Sequence, residues 1–290
     1  MISESVIEWI EGQEKCRIDR GSIRSASGGC IHDSKLLSTQ DGRLLFLKQN
    51  RPSFLAMFEA EREGLATLDA AGCLRVPAPL ASAVVDESAC LLLEGMALGR
   101  SSGEAGEKLL GEQLAQLHRK LSPSGKFGGE IDNFIGATPQ PNPWTEDWAD
   151  FFVESRLQHQ FELAANRGGI FPDQDDLLDR VHSHLRFLEI DPVLLHGDLW
   201  GGNVGFLTGV EPVIFDPASY YGDRETDLAF TKLFGGFSPA FYEAYRIEHP
   251  APESLREEIY NLYHILNHFV LFGGGYAQQA ESIIRRILTA

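Results

Sequence analysis

The sequence is short of positive charge, of paired cysteines and of long apolar runs. Its 25 Lys and Arg stand against 42 Asp and Glu, a formal net charge of −17. Nucleic-acid backbones are held by clustered cations that release counterions, and no basic stripe interrupts this acidic background, so no nucleic-acid partner is expected. The four cysteines, Cys16, Cys30, Cys73 and Cys90, are widely spaced and form no C-x-x-C pair. Neither a zinc knuckle nor a disulfide framework is therefore indicated. No apolar stretch approaches the roughly 18 residues that cross a bilayer, which argues against a membrane partner. The first twelve residues carry Glu4, Glu8 and Glu11 where a secretion signal needs basic residues and an apolar stretch, so the expected compartment is the cytoplasm. The patterns G-x-x-x-x-G-K-[ST], H-E-x-x-H and G-x-S-x-G are missing too, and with them several common enzyme classes.

What is present is an ordinary globular composition, 43% hydrophobic and 23% charged over 290 residues. That length predicts about two domains or one two-lobed unit with a sizeable core. Val6, Ile7 and Ile10 recur at helical spacing, and a segment rich in Gly and Ser runs from Gly21 to Ile31 before the apolar run Leu44–Lys48. That order predicts strand, glycine loop, strand. Leu55, Phe58, Leu65 and Leu68 predict an amphipathic helix stopped by Gly72. Two further strands are expected over 83–85 and 89–94, making residues 1–95 a β-rich lobe with one helix. From 96 to 290 the pattern is mostly helical, with helices expected over 109–121, 148–165, 177–188 and 259–272. The expected fold class is α+β, with a hinge near residues 94–99.

One non-helical block interrupts the helices. His196-Gly-Asp198-Leu-Trp-Gly-Gly-Asn203 has the Asp-x-x-x-x-Asn spacing of the kinase catalytic loop, with Gly in place of Arg. Asp216 follows a strand-like Val-Ile-Phe, where kinases carry a second acid, here in Asp-Pro-Ala. Phosphoryl transfer needs one carboxylate to orient the acceptor hydroxyl and take its proton, and further oxygens to hold Mg²⁺ against the phosphates. Asp198 suits the first role; Asn203 and Asp216 suit the second. Lys48 ends a predicted strand and Glu61 lies on the next helix, matching the lysine that contacts ATP phosphates and the glutamate that pairs with it. Gly28 and Gly29 fall in the predicted phosphate loop, and Glu94 and Met96 at the predicted adenine hinge. No Ala-Pro-Glu segment follows Asp216, which argues against a protein kinase. His196 is expected to support the loop backbone, Asp227 to hydrogen-bond the loop, and His264 with His268 to be a packed or capped surface pair rather than metal ligands.

These motifs, with Phe127-Gly-Gly-Glu-Ile-Asp-Asn133, Ile135–Gln140, Asn142-Pro-Trp144 and Asp216-Pro-Ala-Ser-Tyr-Tyr-Gly-Asp-Arg-Glu225, closely resemble the fructosamine kinase (ketoamine 3-kinase) family. That family is a branch of the aminoglycoside-phosphotransferase-like kinases, and the resemblance covers nearly the whole chain. It implies a two-lobed protein-kinase-like fold, ATP and Mg²⁺ as cofactors, and phosphorylation of the sugar 3-hydroxyl of a small ketoamine or a glycated lysine. An aminoglycoside, choline or other amino-alcohol kinase of the same superfamily is the alternative, and a non-catalytic nucleotide-binding module the alternative of another class. Trp200 and Trp144 are candidates to stack on the sugar, against core packing. Cys30, in the glycine loop, is either a redox handle or an inert small residue. Whether the chain is a monomer or a homodimer is left open.

Overall fold

The computed structural model of the protein describes residues 2–26, 32–99, 103–207, 209–250 and 254–290. Helix α1 (Glu4–Glu14) starts at Ser3, whose hydroxyl accepts from the Val6 amide at 3.4 Å. The strands β1 (Ile18–Ser25), β2 (Asp33–Thr39), β3 (Leu44–Asn50), β4 (Pro79–Val85) and β5 (Ser88–Glu94) form an antiparallel sheet in the order β1-β2-β3-β5-β4. Helix α2 (Leu55–Ala71) crosses between β3 and β4 and ends at Gly72 in a left-handed cap.

Strand β5 is buried throughout residues 89–93, so its alternation serves two cores rather than one core and solvent. Cys90 and Leu92 pack with α1 residues Val6, Ile7 and Ile10, while Ala89, Leu91 and Leu93 pack with Phe58, Leu65 and Leu68 of α2. The sheet is thus covered by a helix on each face. This corrects the expectation of a single helix in residues 1–95: α1 is the second, formed because its three apolar residues cover the outer sheet face.

Beyond the sheet come α3 (Gly103–Leu117) and a short hairpin, β6 (Asn133–Ile135) with β7 (Thr138–Gln140). The expected helix over 148–165 is three pieces: α4 (Trp148–Phe152), a π-helical turn Val153–Gln158, and α5 (His159–Asn166). Helix α6 (Gln174–Leu185) leads to β8 (Val193–Leu194), the hairpin β9 (Val204–Phe206) and β10 (Pro212–Ile214), and β11 (Tyr221–Gly222), which returns to pair with β8. Helices α7 (Glu225–Leu233), α8 (Pro239–Glu248), α9 (Ser254–Phe272) and α10 (Tyr276–Thr289) complete the chain.

One apolar layer centres on α9, with Ile259, Leu262, Ile265 and Leu266 all buried. A second joins the two halves of the molecule: Phe58, Leu65 and Leu68 of α2 share it with Leu110 and Leu114 of α3, Leu199 of the loop after β8, and Phe241 of α8. The sheet and the helical part are therefore packed through α2, and the 196–203 loop is anchored in that shared layer by Leu199. Among the described residues no helix is long and apolar enough to cross a membrane.

Candidate active site

Lys48 and Glu61 meet because of two periodicities. Along β3, Leu45 and Leu47 point to the α1 side, so Phe46 and Lys48 point to α2. On α2, Phe58, Glu61, Leu65 and Leu68 recur at spacings of three, four and three, which puts the carboxylate in the apolar stripe. The Lys48 ammonium lies 2.6 Å from Glu61 Oε1 and 2.6 Å from Asp216 Oδ1. Burial alone would lower the lysine's pKa, but the Asp216 and Glu61 charges raise it, so Lys48 stays cationic. Burial pushes Glu61 up to about 7, only partly opposed by Lys48. Two carboxylates thus compete for one buried ammonium.

Asp216 has φ 56, a left-handed conformation that costs free energy for a residue with a side chain. Asp198 lies on the loop after β8. The Asn203 amide donates to the Asp198 carboxylate (3.0 Å) and to its backbone carbonyl (2.8 Å), leaving Asn203 Oδ1 as the oxygen available to a cation. Burial, then the charge of Asp216, pushes Asp198 up to about 7, where a carboxylate serves well as a proton acceptor near neutral pH.

The loop is held from behind. His196 Nδ1 accepts from the Asp198 amide (3.2 Å), so its Nε2 carries the proton and donates to the Phe215 carbonyl (3.1 Å). Burial keeps this imidazole neutral by lowering its pKa. Asp227 of α7 accepts from the His196 and Gly197 amides (2.8 and 2.9 Å) and faces His118 Nε2 at 3.2 Å. Burial would raise its pKa, but these hydrogen bonds bring it below the ordinary aspartate value. His196 and Asp227 thus have the supporting parts expected of them.

Lys48, Glu61, Asp198, Trp200, Asn203 and Asp216 line one cavity of about 450 Å³. Aromatic rings line it as well: Phe230 of α7 and Phe234 directly after it, His268 and Phe272 from α9, and Tyr276 from α10. Trp200, 37% exposed, meets Phe234 edge-to-face there. Of the pair expected to be packed or capped at the surface, His264 is buried and stacked on Phe230 at 3.6 Å, whereas His268 lines the cavity. These rings escaped the sequence reading because they come from separate segments of the chain that no local pattern relates.

Three candidates are not brought to the cavity. Trp144 stacks on Tyr221, with ring centroids 6.0 Å apart, so packing rather than sugar contact accounts for it. Glu94 pairs with Arg75 and accepts from the Ala78 amide, and Met96 follows on the chain leaving β5; neither is among the lining residues. Gly28, Gly29 and Cys30 lie outside the described residues.

A lysine held by a helix glutamate, an aspartate with a raised pKa, and an amide oxygen beside a second aspartate are the kinds of group that phosphoryl transfer requires. A family profile described as Fructosamine kinase matches residues 2–290. The chain belongs to the fructosamine kinase family. It is 46% identical to a protein named as a probable ketoamine kinase in Synechocystis sp., over 91% of this chain and 90% of that one. It is 39% identical to a chloroplastic protein-ribulosamine 3-kinase of Arabidopsis thaliana, over 98% of this chain and 87% of that one. A crystal structure from Haemophilus somnus, provisionally described as a fructosamine-3-kinase, superposes with a TM-score of 0.90 at 29% identity, covering 98% of this chain and 97% of that one. An aminoglycoside phosphotransferase at 15% identity shares the fold, with a TM-score of 0.67 and 98% of each chain covered. The expected α+β kinase-like fold is borne out, and as a fructosamine kinase family member the protein is an ATP-dependent phosphotransferase.

Proposed function

We propose that this fructosamine kinase family member transfers the γ-phosphoryl group of ATP to the sugar 3-hydroxyl of a ketoamine, the reaction that destabilises a glycation adduct. The observation that carries the reading is the meeting of Lys48–Glu61, Asp216 and the Asp198–Asn203 pair in one cavity that a group of aromatic rings also lines. Residues 1–95 act as the nucleotide lobe and 96–290 as the catalytic and acceptor lobe.

Lys48, kept in place by Glu61, neutralises phosphate charge. Asn203 Oδ1 and the Asp216 carboxylate are hard oxygen donors that fit Mg²⁺, which would neutralise the phosphate oxygens when bound. Asp198 orients the acceptor hydroxyl and takes its proton. The flat apolar faces of Trp200 and Phe234 suit the carbon face of a sugar and the amine it carries. The test is ADP release with ATP and Mg²⁺ across fructosyl-lysine, ribulosyl-lysine, an aminoglycoside and choline. Turnover restricted to the ketoamines is the expected result. Turnover of only the other two would move the protein to a sister activity, and nucleotide binding without any turnover would make it a binding module.

A further inference from the structure

The block from Phe127 to Trp144 is a large part of the family resemblance, yet phosphoryl transfer as described above makes no use of it. Its hairpin, β6–β7, ends in Gln140, which is 1% exposed. Every hydrogen-bonding atom of that side chain is engaged. Gln140 Nε2 donates to Asn133 Oδ1 (2.7 Å) and to the Ala218 carbonyl (3.2 Å), and its Oε1 accepts from the Tyr263 hydroxyl of α9 (2.5 Å). Asn133 in turn donates from Nδ2 to the Ser219 carbonyl at 2.8 Å. Asn133 borders the cavity and would pass for a substrate-binding amide, but both ends of its side chain are already tied to protein partners.

The two carbonyls held in this way belong to the residues directly after Asp216 and Pro217. The Ala218 amide also donates to the His196 carbonyl (2.9 Å). A Cβ on Gly197 would stand only 2.0 Å from the Ala218 oxygen, so the catalytic loop lies hard against the very carbonyl that Gln140 holds. Asp216 keeps a left-handed backbone conformation two residues before Ala218, and such a conformation persists only where its surroundings impose it. The far end of the network is fixed in the helical core. Tyr263 is buried on α9, and the block is tied down again where the buried Arg156 donates to Asn142 Oδ1 (2.6 Å) and to the Pro141 carbonyl (2.6 Å).

We propose that Gln140, working through Asn133 and anchored by Tyr263, is a positioning residue that sets where the Asp216 carboxylate stands relative to Asp198. Gln140 touches neither nucleotide nor acceptor; it acts on metal and phosphate through the backbone of residues 216–219. The inference rests on the roles proposed above for Asp216 and Asp198. Side chains that orient metal ligands in this way change metal affinity or activity by about 10- to 100-fold when removed.

The experiment compares wild type with Gln140→Met, which keeps the length of the side chain and removes its polar atoms. Mn²⁺ binding in the presence of AMP-PNP is read by electron paramagnetic resonance, AMP-PNP binding without metal by calorimetry, and kcat and KM on the ketoamine that wild type turns over best. The expected result is Mn²⁺ affinity and kcat each lowered about tenfold or more, with metal-free nucleotide affinity and ketoamine KM changed less than about threefold. If Gln140→Met does not fold, Tyr263→Phe removes one anchoring hydrogen bond and is expected to give the same split at smaller amplitude. A folded variant that melts earlier but keeps wild-type Mn²⁺ affinity and kcat would overturn the proposal, since a role in packing alone predicts that outcome. Failure of the kinase reading itself is separable, because it appears as absence of turnover in wild type.

Discussion

Replacing the proposed base Asp198 by Asn should make the protein more stable and inactive at once. An aspartate in an unfolded chain titrates near 4, whereas burial and the nearby Asp216 hold Asp198 at about 7. Between those two values the native protein binds a proton that the unfolded chain has released, so stability falls as pH rises through the interval. The full gap is worth at most ~4 kcal/mol, of which roughly 1–2 kcal/mol accrues between pH 5.5 and 7. Asn carries no charge and its side-chain oxygen can still accept from Asn203, so it escapes the penalty. Urea unfolding of the metal-free proteins in EDTA is the assay. The stability advantage of Asp198→Asn should grow by about 1 kcal/mol between pH 5.5 and 7 and level off above pH 7. Turnover with ATP and Mg²⁺ should fall about 10²- to 10⁴-fold while nucleotide still binds. An advantage that does not change with pH, or a variant less stable than wild type at pH 8, would refute the reasoning; near-normal turnover would remove Asp198 from catalysis.

Four further substitutions separate support from chemistry. Asp227→Asn leaves the Gly197 amide facing an NH₂ group in a buried site, so it should cost about 2–4 kcal/mol in urea unfolding and lower kcat as well, the opposite stability sign from Asp198→Asn. Gly197→Ala places a side chain on a backbone at φ 82 and against the Ala218 oxygen; a loss of about 2 kcal/mol or more is expected, and wild-type stability with wild-type kcat would contradict the close approach. Trp200→Ala should raise the ketoamine KM severalfold, whereas Trp144→Ala should leave it unchanged, because one ring lines the cavity and the other stacks on Tyr221. Equal KM effects from the two tryptophans would show that the acceptor lies elsewhere.

The polar centre was legible in the sequence because its residues sit at fixed spacings within single elements. The six positions from Asp198 to Asn203 form one loop, and Lys48 and Glu61 are carried by a strand and the helix that follows it. Glu61 could be placed even without its partners, since it fills the gap in an apolar stripe running from Phe58 to Leu68. The hinge residues were assigned by position alone, and here the side chains of Glu94 and Arg75 pair with each other.

What the sequence by itself determined is the strand and helix pattern around Lys48 and Glu61 and the groups proposed for phosphoryl transfer, since period-two and period-3.6 patterns and short loop motifs are local properties of the chain. Only the tertiary structure decided the rest. It gathered Trp200, Phe234, His268 and Phe272 around one cavity, turned Trp144 away onto Tyr221, and brought Gln140 under the carbonyl of Ala218. The residues in these contacts lie tens of positions apart on elements that no local rule relates, and a buried amide such as Gln140 reveals its purpose only through the partners that satisfy it.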